Sequence, residues 1–353
     1  MGCFSSYRNK YSKIKNVKNN TKSIIQFIVL LSVGILLAWL SIKSVWTEKD
    51  KIIQSFQTAN YVWVFIAILI SLLSHYLRAF RWNYLLKPLG HHVKPFNAMG
   101  AVLVGYFANY GIPRMGEITR CTLVTKYDKV PFEIALGTVI TERIVDTLLL
   151  LVIFVLTLFA QFSQLTSLSS QYIVNPLMTK FQGVSEHPLK LVVLISVIGL
   201  VSVFLFLIRK KIATILNSKL GSILKGFGKG LSSIKDIDKK FHFVALSIAI
   251  WLCYFYSLYV CFFAFTGTSH LGHSECLVLM LFGTFGVIFS PGGLGAYPAI
   301  ITSLLLFYGI DKIPAFAFPW MAWTSQFVLI VVLGVLSLIL LPLLNKEKKD
   351  VVS

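Results

Sequence analysis

Charge is what this 353-residue sequence has least of: Asp, Glu, Lys and Arg make up only 13%, about half the share in a soluble domain. That shortage excludes an ordinary soluble enzyme, while a hydrophobic fraction of 56% and a mean hydropathy of +0.76 exclude a disordered chain. Cysteine is sparse and scattered at Cys3, Cys121, Cys253, Cys261 and Cys276. No pair has metal-ligand spacing, so neither a metal site nor a disulfide framework is expected. There is no Walker loop and no His-x-Glu-x-x-His type pattern, and His91-His92 is an adjacent pair that ligates nothing by itself. The prospective outer loops hold Glu48, Asp50, Glu186, Glu275 and Asp311, but no paired acids suited to metal-assisted sugar transfer. No catalytic residue and no cofactor is predicted.

What the chain does have is apolar sequence in blocks: 24–42, 61–77, 97–112, 133–160, 189–208, 243–266, 277–309 and 314–344. A helix crosses the hydrocarbon core with about 20 apolar residues, so the fold class is an all-α polytopic membrane protein. No small-residue cleavage site follows the first block, which reads as a retained helix rather than a signal peptide. Two blocks do not look like simple spans. Block 97–112 has 16 residues and runs into Gly111-Ile112-Pro113-Arg114, and block 277–309 is interrupted by Ser290-Pro291-Gly292-Gly293-Leu294-Gly295.

The net charge of +19 does not point to nucleic acid, because the basic residues crowd into short segments between apolar blocks, where they set orientation. The tail 1–22 has six basic residues and no acid, and segment 209–242 has nine against Asp236 and Asp238. Segments 78–96 and 114–132, on either side of block 97–112, are both basic, so both want the inner face. Every cluster lands inside if 97–112 and 277–309 belong to re-entrant hairpins entered from opposite faces. The expectation is therefore about six full spans plus two re-entrant helical hairpins, with both termini cytoplasmic; the alternative is that both broken blocks cross fully. A basic tail (1–23) and a C-terminal tail (345–353) flank a membrane domain (24–344) whose units, about 61–160 and 243–344, are inverted. Pro113 and Pro291, in corresponding places, lie 178 residues apart. Interrupted segments in inverted repeats point to a transporter's midplane site.

Charged residues inside lipid are costly and face a pathway, a partner or the interface. Arg78 and Arg81 share a helix face at i, i+3; they read as a phosphate fork or as interfacial anchors beside Trp82. Arg114, Glu117 and Arg120 sit at the first break, where Glu117 needs a cation and Arg114 or Arg120 is available; a surface loop is the other reading. Glu142 and Asp146 share a face at i, i+4, and Arg143 is spaced to pair with Asp146, for a structural ion pair or a substrate site. Pro291, Gly292, Gly293 and Gly295 supply backbone amides that suit an anion. Trp320, Trp323 and Gln326 line a cavity or anchor the interface.

In this order, Arg78-x-x-Arg81, Pro113-Arg114-Met115-Gly116-Glu117-x-x-Arg120, Glu142-Arg143-x-x-Asp146 and Ser290-Pro291-Gly292-Gly293-Leu294-Gly295 resemble the lysylphosphatidylglycerol synthase transmembrane, or flippase-like domain, family over roughly 20–340. The resemblance implies a domain that moves lipid between leaflets. In the best-understood relatives an aminoacyl-transferase domain follows; none does here before Ser353, so a stand-alone member is expected and lipid synthesis is not implied. Many members carry a glutamate three residues after the Pro-Gly-Gly-x-Gly turn, where this chain has Pro298, so an acid's role there is not carried over. The expected activity is flipping of an anionic phospholipid or polyprenyl-phosphate-linked lipid in a bacterial inner membrane, with no enzymatic step. In that reading Arg114 and Arg120 hold the head group, Arg78 and Arg81 collect it, and Glu117, Glu142 and Asp146 balance their charge. The alternatives are an integral-membrane enzyme or accessory subunit acting on lipid-linked sugars, with Glu117 or Asp146 as acid/base, or a scaffold for a separate lipid-modifying enzyme.

Overall fold

The computed structural model describes residues 29, 31–112, 115–160, 237 and 239–345. The predicted span 189–208 and the predicted tail 1–23 lie outside the described residues, as do Pro113, Arg114 and all of the C-terminal tail but Asn345. The described residues contain helices and no strand, as the composition required. Helix α1 (Leu31–Ser44) meets α2 (Lys49–Gln57) at a 52° bend through Trp46–Glu48. α3 (Tyr61–Leu86) starts at Asn60, whose Oδ1 accepts from the Val62 N–H at 3.1 Å, satisfying one of the donors a helix start leaves open. α4 (Pro95–Gly111), α5 (Met115–Asp128) and α6 (Phe132–Ala160) follow. Then come α7 (Lys240–Cys261), α8 (His273–Phe289), α9 (Ala296–Phe307) and α10 (Lys312–Leu344).

Among the described residues three helices, Tyr61–Leu89, Lys240–Ala264 and Lys312–Leu344, are long and apolar enough to cross a membrane, and the bent α1–α2 pair makes a fourth if it counts as one span. α3 shows what surrounds the protein. Its outward stripe is Val62, Phe65, Leu69, Leu73, Tyr76 and Phe80, all exposed, while Ser71, Ser74, His75, Arg78 and Arg81 are buried. A soluble helix does the reverse. Apolar side chains outside and charge inside is the arrangement that lipid as solvent selects.

Helices α4 and α5 form a hairpin. At its open end the Lys94 N–H and the Asn97 amide both donate to the Asp128 carboxylate, at 3.1 and 3.0 Å. Toward the tip, Gly116 lies against the Gly105 carbonyl and Asn109, whose Oδ1 accepts from the Gly116 N–H at 2.7 Å. Helices α8 and α9 form a second hairpin, turned by Pro291–Gly293. There Gly292, Gly293 and Gly295 have φ of 59°, 80° and 70°, values that only glycine adopts without strain. The open end of α8 is capped by Glu275, which accepts from the Gly272 N–H at 2.9 Å. Each 17-residue arm, α4 and α8, is about 25 Å long, less than the about 30 Å of a hydrocarbon core.

The two units interlock. α3 and α7, which open them, pack antiparallel: the Asn60 N–H donates to the Ala264 carbonyl (2.9 Å), and the Ser257 hydroxyl to the Ala67 carbonyl (3.0 Å). Each hairpin's first arm packs on the last helix of the other unit, α4 on α10 and α8 on α6. The α4–α10 contact is close because Gly100 faces Leu341 and Gly334 faces Phe107. The hairpins open at opposite ends of α3: Asn83 bonds Val93 beside the first, and Phe56 meets Phe265 beside the second. Their tips meet in the interior, where the Tyr110 ring covers Gly292.

Candidate functional site

On α3 the i, i+3 spacing turns Arg78 and Arg81 to the buried face, and on α6 the i, i+4 spacing does the same for Glu142 and Asp146. The two faces meet. Arg78 Nη1 donates to Asp146 Oδ2 at 2.7 Å, and Arg81 Nη2 to Asp146 Oδ1 at 2.9 Å, so one carboxylate bridges both guanidiniums. α5 contributes Arg120, whose Nη1 donates to Glu142 Oε2 at 2.8 Å; the other oxygen, Glu142 Oε1, lies 3.8 Å from Arg81 Nη2. α7 closes the far side: Arg81 Nη1 donates to the Ser247 hydroxyl (2.9 Å) and Arg78 Nη2 to the Tyr254 hydroxyl (3.0 Å). All five charged groups are buried.

The cluster is not neutral. Three guanidiniums face two carboxylates, leaving one positive charge in excess. Hydrogen bonding is incomplete as well: among the described residues the donors Nε of Arg78, Arg81 and Arg120 and Nη2 of Arg120, and the acceptor Glu142 Oε1, have no hydrogen-bond partner. Arg120 lies 3.9 Å above the Trp82 ring, whose Nε1–H donates to the Thr138 hydroxyl at 2.9 Å. Stacking holds the guanidinium plane without using its donors. Buried donors that end unpaired are costly, so the arrangement favours a further acceptor, and an anion would also balance the charge.

Several pairings differ from those the spacing suggested. Arg143 does not pair with Asp146; its Nη2 reaches Glu117 Oε1 at 3.2 Å, where the two side chains are 40% and 26% exposed. Successive helix residues are about 100° apart, so Arg143 turns away from the face that Glu142 and Asp146 share. Glu117 therefore takes Arg143 rather than Arg120, and Arg120 goes to Glu142. Arg78, Arg81 and Trp82 are not interfacial anchors, since all are buried. Arg114 lies outside the described residues.

The glycine turn is joined to the cluster through α4. Gly292 packs under Tyr110, and its carbonyl accepts from Trp323 Nε1 at 2.8 Å. One turn from Tyr110, Tyr106 lies beside Tyr254 and meets the His75 ring at a tilt, with ring centres 4.9 Å apart. Gln326 accepts from the Ser71 hydroxyl at 2.5 Å, and Trp320 lines a cavity beside α1 and α2. Both return arms, α5 and α9, begin at the tips, which aims the positive ends of their dipoles inward. Sequence reasoning missed Ser247, Tyr254 and Tyr106. The signal was present, because Ser247 and Tyr254 lie seven residues apart and so on one face of a largely apolar helix.

The family profile described as lysylphosphatidylglycerol synthase TM region matches residues 24–334. The chain belongs to that family. A UPF0104 membrane protein of Methanocaldococcus jannaschii is 30% identical over 142 residues, 39% of this chain and 39% of the relative; the match thus spans about two fifths of the curated relative's length. No solved structure matches the chain.

Proposed function

From membership of the lysylphosphatidylglycerol synthase transmembrane family we propose that this protein moves an anionic lipid, a phospholipid or polyprenyl-phosphate-linked lipid, between the leaflets of a cell's inner membrane. The observation that carries the proposal is the buried Arg78–Arg81–Arg120 cluster, with its excess positive charge and unpartnered donors. A phosphate presents the acceptor oxygens that arginine forks bind best, and the inward-aimed starts of α5 and α9 add to the same field. The hairpins are re-entrant in this reading, entered from opposite faces with both termini cytoplasmic. Head groups pass between the units while acyl chains stay in lipid, and the Tyr110–Gly292 contact closes the path between tips.

One feature favours transport over chemistry on the lipid. Both oxygens of Asp146 are occupied by guanidinium donors, which suits charge balance better than proton transfer.

The test is leaflet exchange in proteoliposomes carrying fluorescent anionic or zwitterionic lipids. Faster exchange of an anionic lipid, abolished by Arg120→Ala, is expected. Native protein that accelerates no anionic lipid overturns the reading. Conversion of the lipid, seen by chromatography, would replace transport with an enzymatic role.

A further inference from the structure

A second region, away from the charged cluster, has the form of a lipid site. Where α1 bends into α2, the elbow stands off from α3 and α10 and leaves a cavity of ≈ 920 Å³. Its α10 wall runs from Phe316 to Leu333, about 25 Å at 1.5 Å per residue. The lining is apolar almost throughout, and its one charged group, Lys49, sits on α2 at one end. Neighbouring cations are taken: Glu48 binds both Lys51 (3.5 Å) and Lys312 (3.1 Å). Lys49 has no acidic partner among the described residues.

We infer that this groove seats an acyl chain of an anionic phospholipid, with Lys49 meeting its phosphate. A long apolar slot with a single cation at one end matches an amphiphile with one anionic head. The wall is longer than the about 15 Å of one leaflet's hydrocarbon, so a chain entering at Lys49 lies along protein past the bilayer centre. That is the depth a lipid must cover to change leaflets. The inference rests on the proposed function only in taking the substrate to be an anionic lipid.

Trp320 lines the groove and reports on it. The protein is placed in phosphatidylcholine vesicles containing brominated phosphatidylglycerol or, at equal mole fraction, brominated phosphatidylcholine. Trp320's emission is the part lost in Trp320→Phe. The expected result is half-quenching at about fivefold lower content of the anionic bromolipid, the preference one lysine confers near a surface. Lys49→Gln should bring the two curves together, Lys49→Arg should keep them apart, and Ser325→Phe, which fills the groove, should weaken quenching by both. Equal quenching of the native protein by the two lipids, or a preference that survives Lys49→Gln, overturns the assignment. Because occupancy rather than exchange is measured, loss of transport and loss of the seat remain separate outcomes.

Discussion

The ring of Tyr110 lies directly over Gly292, close enough that a Cβ on the glycine would collide with it. Tyr110 ends the first arm of one hairpin and Gly292 turns the other, so this contact is where the two hairpin tips touch. Gly292→Ala forces a side chain into the ring and into a φ of 59°. A loss of about 1–3 kcal/mol is expected, read as a lower unfolding temperature in detergent. Adding Tyr110→Ala should recover the steric part alone.

Asp146 and Glu117 are both acids paired with arginine, but in different surroundings. Asp146→Asn removes a buried acceptor shared by Arg78 and Arg81 and should cost about 3–5 kcal/mol. Glu117→Gln, in a partly exposed pair, should cost less than about 1 kcal/mol. Thermal unfolding of the two variants side by side checks the contrast; equal costs would mean the cluster is as wet as the Glu117–Arg143 pair.

Arg120→Lys keeps the charge but loses the planar fork and much of the stacking on Trp82. Anionic lipid exchange should fall by about tenfold or more while the protein still elutes as the native species. Full activity in the lysine variant would show that charge alone suffices.

Hairpin topology is open to thiol labelling. Lys94→Cys and Lys126→Cys, at the open end of the first hairpin, should react with a membrane-impermeant reagent from the same side. Ser269→Cys, near the open end of the second, should react only from the other side. Labelling of Lys94→Cys and Lys126→Cys from different sides would make block 97–112 a full crossing.

The α2–α10 tie should respond to acid. The hydrogen bond from the Lys312 ammonium lowers the Glu48 pKa below its ordinary value of 4.5, against an opposing effect of desolvation and with lesser help from Lys51. A depressed folded-state pKa means the tie is fully present above about pH 4.5 and is lost as pH falls through the lowered value. The emission of Trp46, next to the bend, should shift in that window, and Glu48→Gln should abolish the shift.

The sequence by itself determined the solvent and the breaks. Apolar blocks of about 20 residues demand lipid, and Ser290–Gly295 breaks a helix because Gly292, Gly293 and Gly295 take positive φ, whereas proline alone decides nothing, since Pro319 and Pro342 lie inside α10. Face-sharing on one helix was also legible: Arg78 with Arg81 and Glu142 with Asp146 follow from helical periodicity alone. Partner choice was not. Asp146 reaches back to α3 instead of taking Arg143, three residues away on its own helix, and Glu117 takes that arginine. Ser247 and Tyr254, more than 100 residues beyond Glu142, complete the cluster only because α7 packs antiparallel to α3. Spacing along a helix fixes direction around its axis, whereas which charges meet depends on how whole helices cross, and those crossings are set by close contacts such as Gly105 with Gly116 and Gly334 with Phe107.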